Sequence, residues 1–69
     1  MSKFSNRLAE LRHEKRLSQK EIAKLLYIPQ TTYSHYEVGN REPSIETIIK
    51  LCDLFDVSAD YLLGRKDDY

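Results

Sequence analysis

Gln30, Thr31, Ser34 and His35 lie within six residues of the chain, and their side chains are those that pair with the edges of nucleic-acid bases. A glutamine amide carries a donor beside an acceptor and can match adenine N6 and N7. Threonine adds a hydroxyl and a methyl for thymine, serine a hydroxyl, and histidine a ring N–H for guanine N7 or O6. Stepped around a helix from Gln30, the four cover an arc of about 0–140°. Tyr33, Tyr36 and Glu37 fall on the opposite side, with Thr32 at the border. The arc holds no carboxylate for phosphates to repel. A short solvated helix face has the same composition, so the neighbouring elements must decide between the two.

Other chemistries find little support. Cys52 is the only cysteine, and His13 and His35 stand far from it, so disulfides and paired zinc ligands are excluded. No serine-centred elbow, Cys–His arrangement or phosphate-cradling glycine loop occurs. Asp67-Asp68 pairs two carboxylates where nothing would desolvate them. Sixty-nine residues also leave little volume for a substrate pocket. The chain is expected not to be an enzyme, and to need no metal, cofactor or small-molecule ligand. With no apolar run of about 18 residues and no signal-type segment, no membrane contact is expected, and the chain is placed in the cytoplasm with Cys52 as a packing residue.

The polar arc needs a helix to carry it, and the sequence reads as helices throughout. Phe4, Leu8 and Leu11 recur at helical spacing, giving a first helix near residues 4–14. Ser18 followed by Glu21 is a capping box opening a second, which turns Ile22, Ala23, Leu25 and Leu26 inward. Pro29 permits a third to start and Gly39 is placed to stop it. Ser44 caps a fourth with the apolar stripe Ile45, Ile48, Ile49, Cys52 and Phe55, and Ser58 caps a short fifth holding Tyr61, Leu62 and Leu63 before Gly64. No alternating run reads as a strand. The fold class is therefore all-α, with one domain over residues 1–64 and a frayed C-terminal tail over 65–69. The link from Leu26 to Pro29 is short, so the second and third helices must cross steeply, which is helix-turn-helix geometry.

Net charge is zero, but it is unevenly written. Residues 1–41 hold eight basic against four acidic side chains, and residues 42–69 hold three against seven. One end is suited to a polyanion and the other is not.

The stretch Leu17-Ser18-Gln19-Lys20-Glu21-Ile22-Ala23, with Tyr36-Glu37-Val38-Gly39, resembles the phage repressor/Cro family, also called the XRE family. The likeness continues through Arg41-Glu42-Pro43-Ser44-Ile45-Glu46-Thr47 and Val57-Ser58-Ala59-Asp60-Tyr61-Leu62-Leu63-Gly64. It implies a five-helix, lambda-repressor-like domain that binds double-stranded operator DNA and regulates transcription, most simply as a repressor. Gln19 and Gln30 stand eleven residues apart as in the family, which implies a phosphate contact for Gln19 and base reading by Gln30, braced by Gln19. Thr31 and His35 match further base readers, with Ser34 beside them. Arg12 and Glu37 match a pair that is ion-paired in relatives, which implies a structural brace and some phosphate contact by Arg12. Lys20 and Arg41 flank the reading helix as phosphate anchors, with Lys3, Arg7 and Lys24 as further candidates. Tyr27 stands where relatives commonly have glycine, Pro29 where they have a Ser or Thr cap, and Tyr33 where they prefer a smaller aliphatic.

One reading helix covers only a few base pairs, so a homodimer on half-sites about 34 Å apart is expected. Tyr61, Leu62 and Leu63 are the expected seam. The alternative is an antitoxin or adaptor module whose main role is to bind another protein.

Overall fold

The computed structural model describes residues 2–69, which form five helices and no strand among them. They are α1 (Lys3–Glu14), α2 (Gln19–Leu25), α3 (Gln30–Val38), α4 (Ile45–Phe55) and α5 (Ala59–Leu62). Four of the five open on a serine whose hydroxyl accepts an amide from the first turn: Ser2, Ser18, Ser44 and Ser58. The box at Ser18 is closed from both sides, since Glu21 Oε1 also accepts from the Ser18 amide at 2.9 Å. Pro29 is the residue before α3 and gives it no side-chain cap. No helix of the described residues is long and apolar enough to cross a membrane.

Every helix ends in the same manner. A residue in the left-handed region follows the last turn, and an amide beyond it reaches back to a carbonyl five positions earlier, as in Leu17→Arg12, Ile28→Ala23, Asn40→His35, Val57→Cys52 and Arg65→Asp60. Glycine fills that position only at Gly39 and Gly64; Arg16, Tyr27 and Asp56 take it at φ of 56°, 59° and 55°. The turn of the helix-turn-helix thus keeps the glycine-type backbone with a tyrosine in it.

The core gathers Leu8 and Leu11 of α1, Ile22 and Ala23 of α2 with its cap Leu26, Tyr33 and Tyr36 of α3, Leu51 and Phe55 of α4, Val57, and Tyr61 and Leu62 of α5. Two expectations need correction. Leu25 is 52% exposed rather than inward. On α4 the buried residues are Leu51 and Phe55, with Ile48, Cys52 and Leu54 partly buried, while Ile45 and Ile49 are 78% and 56% exposed. Apolar residues cover more than half the circumference of α4, so hydrophobic spacing alone could not say which flank would meet the core.

Residues 65–69, expected as a frayed tail, fold back onto α1 and α5. Arg7 donates to the carbonyls of Tyr61 and Lys66 and pairs with Asp67 at 2.7 Å, its guanidinium lying 4.2 Å from the centre of the Tyr61 ring. Tyr69 stands edge-on to Tyr61, and its hydroxyl donates to the Glu14 carboxylate.

Tyr27 is 89% exposed, so its ring contributes little packing to set against its backbone strain. Tyr27→Gly should therefore stabilise the domain by about 0.5–1 kcal/mol, a rise of roughly 2–8 °C in Tm. Gly64→Ala should do the reverse, because a Cβ there would lie 2.8 Å from Lys3 Cβ at a φ of +86°. Thermal melts of the two variants check both.

Candidate nucleic-acid interface

The polar arc sits on α3, and a chain of polar contacts fixes how α3 is turned. Arg12 of α1 donates through Nε to Glu37 Oε2 at 2.7 Å and through Nη2 to Glu37 Oε1 at 3.2 Å. Its Nη1 donates to the Leu17 carbonyl at 2.9 Å, tying in the link that leads to α2. Gln19, the first residue of α2, donates from Nε2 to Glu37 Oε1 at 3.1 Å. Its Oε1 in turn accepts from the Ser34 hydroxyl at 2.6 Å. Three helices thus meet at one carboxylate. Family likeness paired Arg12 with Glu37 and set Gln19 to brace Gln30; the Gln19 amide instead meets Glu37 and Ser34, which nothing in the sequence indicated.

Glu37 is buried, and burial alone would raise its carboxyl. Hydrogen bonds from Arg12 and Gln19, together with the guanidinium charge, outweigh that and hold it below its ordinary value. The bond to Glu37 likewise raises the Arg12 guanidinium against the opposing effect of burial. Beside them the Tyr33 hydroxyl is buried without a hydrogen-bond partner; burial and then the Glu37 carboxylate drive the phenol far upward, so it stays neutral. Cys52 has its thiol pushed up by burial and then by Asp53, the opposite of a nucleophile's environment.

With α3 held in this way, Gln30, Thr31 and His35 are exposed and Ser34 is half-buried. His35 Nδ1 lies 2.8 Å from Asn40 Oδ1, a contact that puts the ring proton on Nδ1. In that tautomer the ring offers an acceptor at Nε2; donation to guanine from Nε2 is open to it once the exposed Asn40 amide turns its nitrogen toward Nδ1. Asn40 was not among the residues singled out by sequence; a single Asn after a helix-ending glycine carries no spacing signal.

The anchoring candidates differ in what they have left to give. Lys20 and Arg41, which precede and follow α3 in sequence, are exposed. Arg12 already contacts Glu37 twice, the Leu17 carbonyl and His13 Nε2, so one Nη1 hydrogen remains. Arg7 is committed to residues 61–67, at the other end of α1. Of the expected seam, Leu62 is 0% exposed and Tyr61 is buried, which leaves Leu63 with surface to offer.

Since Glu37 titrates below the 4.5 of an unperturbed carboxyl, its ionised form stabilises the fold above that value. This contribution is lost as pH falls through the lowered folded value. Melts between pH 7 and 3 should show Glu37→Gln less stable at neutral pH and flatter than the parent below about pH 4.5. Glu37→Ala at pH 7 should approach the roughly 3 kcal/mol at the lower end for breaking a buried pair.

The helix-turn-helix family profile matches residues 8–62. The HTH-type transcriptional regulator AnsR of Bacillus subtilis is 49% identical over 61 residues, covering 88% of this chain and 53% of AnsR. The cryptic phage CTXphi transcriptional repressor RstR of Vibrio cholerae is 37% identical over 54 residues, covering 78% of this chain and 49% of RstR. The crystal structure of a transcriptional regulator from Listeria innocua superposes with a TM-score of 0.85 at 36% identity, over 88% of this chain and 57% of the other. The chain spans about half the length of these curated relatives. The profile match spans both helices of the motif, the turn between them and all but the ends of the chain, and the chain belongs to the helix-turn-helix family of the phage repressor/Cro, or XRE, type.

Proposed function

We propose that the chain is a sequence-specific double-stranded DNA-binding regulator of transcription, acting in the cytoplasm as a repressor and without catalysis. The observation that carries this reading is the locked orientation of α3. A carboxylate-centred clamp on its inner side leaves Gln30, Thr31 and His35 on an outer arc free of acids. Such an arc enters a major groove without repelling its phosphates. Gln19, Lys20 and Arg41 supply backbone contacts beside it, with the spare N–H of Arg12. The repressor direction follows the simplest action of a bound domain, which is to occupy a promoter; RstR, a named repressor, is similar over most of the chain.

A homodimer on a palindromic operator supplies the sequence information that one reading helix lacks. Leu63 borders a shallow groove with Phe4, Pro43 and Ile48, and Ile45 and Ile49 stand exposed on the adjoining flank of α4. Apolar side chains left in water on one face suit a second copy. Acidic residues outnumber basic ones over residues 42–69, which supply most of this face and suit it to a contact other than DNA.

Gln30→Ala should lose about 1–3 kcal/mol on a site selected from random duplexes while non-specific binding changes little. Equal weakening on all sequences would remove Gln30 from base reading. Each of Lys20→Ala and Arg41→Ala should lower the salt slope of log K by roughly 0.9. Footprints should show two half-sites filling together, and Ile49→Asp should separate them; protection of one unpaired half-site by the parent chain would rule the dimer out.

A further inference from the structure

The clamp does more than orient α3, because each of its hydrogen bonds has a direction. Glu37 is an ionised carboxylate and can only accept. The Gln19 group that meets it at 3.1 Å is therefore the amide nitrogen, and the Gln19 carbonyl oxygen must be the atom facing Ser34. That oxygen cannot donate, so the 2.6 Å contact uses the one proton of the Ser34 hydroxyl. A serine in a groove normally pairs with donors and acceptors alike, since its hydroxyl rotates to suit. This one has no proton left.

We propose that Glu37, acting through Gln19, makes Ser34 an acceptor-only reader. The base beneath it then carries an exocyclic amino group, adenine N6 or cytosine N4, and not the keto oxygen of guanine or thymine. The proposal rests on the DNA-binding reading and specifies its chemistry at one base step. Gln19 is then a positioning residue for specificity as well as a backbone contact. Ser34 lies near the middle of the polar arc, between Gln30 and Thr31 in angle, and is half-buried. Guanine O6 or thymine O4 at that step would set two acceptors against each other. Relieving them would require the Ser34 proton to leave Gln19, with the Gln19 carbonyl then losing its partner. Flipping the Gln19 amide instead would press its oxygen against the Glu37 carboxylate.

The test uses duplexes of a selected site in which each adenine is replaced in turn by purine, and each cytosine by pyrimidin-2-one, so that single amino groups are deleted. The parent chain should lose roughly 2- to 10-fold in affinity at one such step, the worth of one neutral hydrogen bond. Ser34→Ala should lose a similar factor on the intact site and nothing further from that deletion, the non-additive pattern of two partners in one contact. Gln19→Met removes the carbonyl and frees the hydroxyl to donate. It should weaken all sites through the lost backbone contact while erasing the preference for an amino base at that step alone. Losses for Ser34→Ala that add to every deletion, or a preference surviving in Gln19→Met, would overturn the proposal while leaving DNA reading by Gln30 intact. Binding to every duplex alike would overturn the DNA reading and this proposal together.

Discussion

Glu37 is an acid on the inner side of a helix, and the placement of three helices depends on its remaining charged. A carboxylate buried alone would be strongly unfavourable; here the guanidinium of Arg12 and the amide of Gln19 meet both its oxygens. Because each partner comes from a different helix, the rotation of α3 about its own axis is set by hydrogen-bond geometry as well as by packing. The apolar side of α3 is thin, consisting of Tyr33 and Tyr36. Two tyrosines alone would tolerate a range of rotations, and the polar clamp selects one. The buried Tyr33 hydroxyl without a partner marks where the fold accepted an imperfect polar fit to keep that arrangement.

The helix ends supply the second constraint. All five close with the same left-handed turn, and a residue other than glycine holds that conformation three times. Gly64 could not be replaced so readily, since an added Cβ would press on the Lys3 side chain. Tyr27 could occupy the same backbone because nothing crowds its side chain. The difference between these positions is thus one of neighbours, not of turn type.

Much of this was legible in the residues. Serine caps, Gly39 and the spacing of Leu8 and Leu11 locate the helices to within a residue or so, because capping is local chemistry. The pair Arg12 and Glu37 was found through family likeness, being too far apart in sequence for any spacing rule. What escaped was whatever depended on choosing among equivalent local options. Helix α4 has apolar residues on both flanks, and only its packing into the core beside α5 selects Leu51 over Ile45 and Ile49. The contacts from Gln19 to Ser34 and from His35 to Asn40 join short polar residues that are common on any solvated surface. Residues 65–69 look like a tail by composition, and their anchor, Arg7, looks like one more surface cation until its partners are seen.

That anchor also bears on the order in which the chain assembles. The pairing of α2 with α3 joins neighbours in sequence, so it requires closing only a short loop and can form early. The Arg7 contacts span 54 to 60 residues, close to the length of the chain. Closing so large a loop before other contacts exist is slow and entropically unfavourable. The contacts of Arg7 with residues 66 and 67 are therefore expected to close last on folding and open first on unfolding, while α1 and α5 stay in the shared core. In amide exchange, protection would divide along that line, with residues 65–69 opening while the motif of α2 and α3 stays closed.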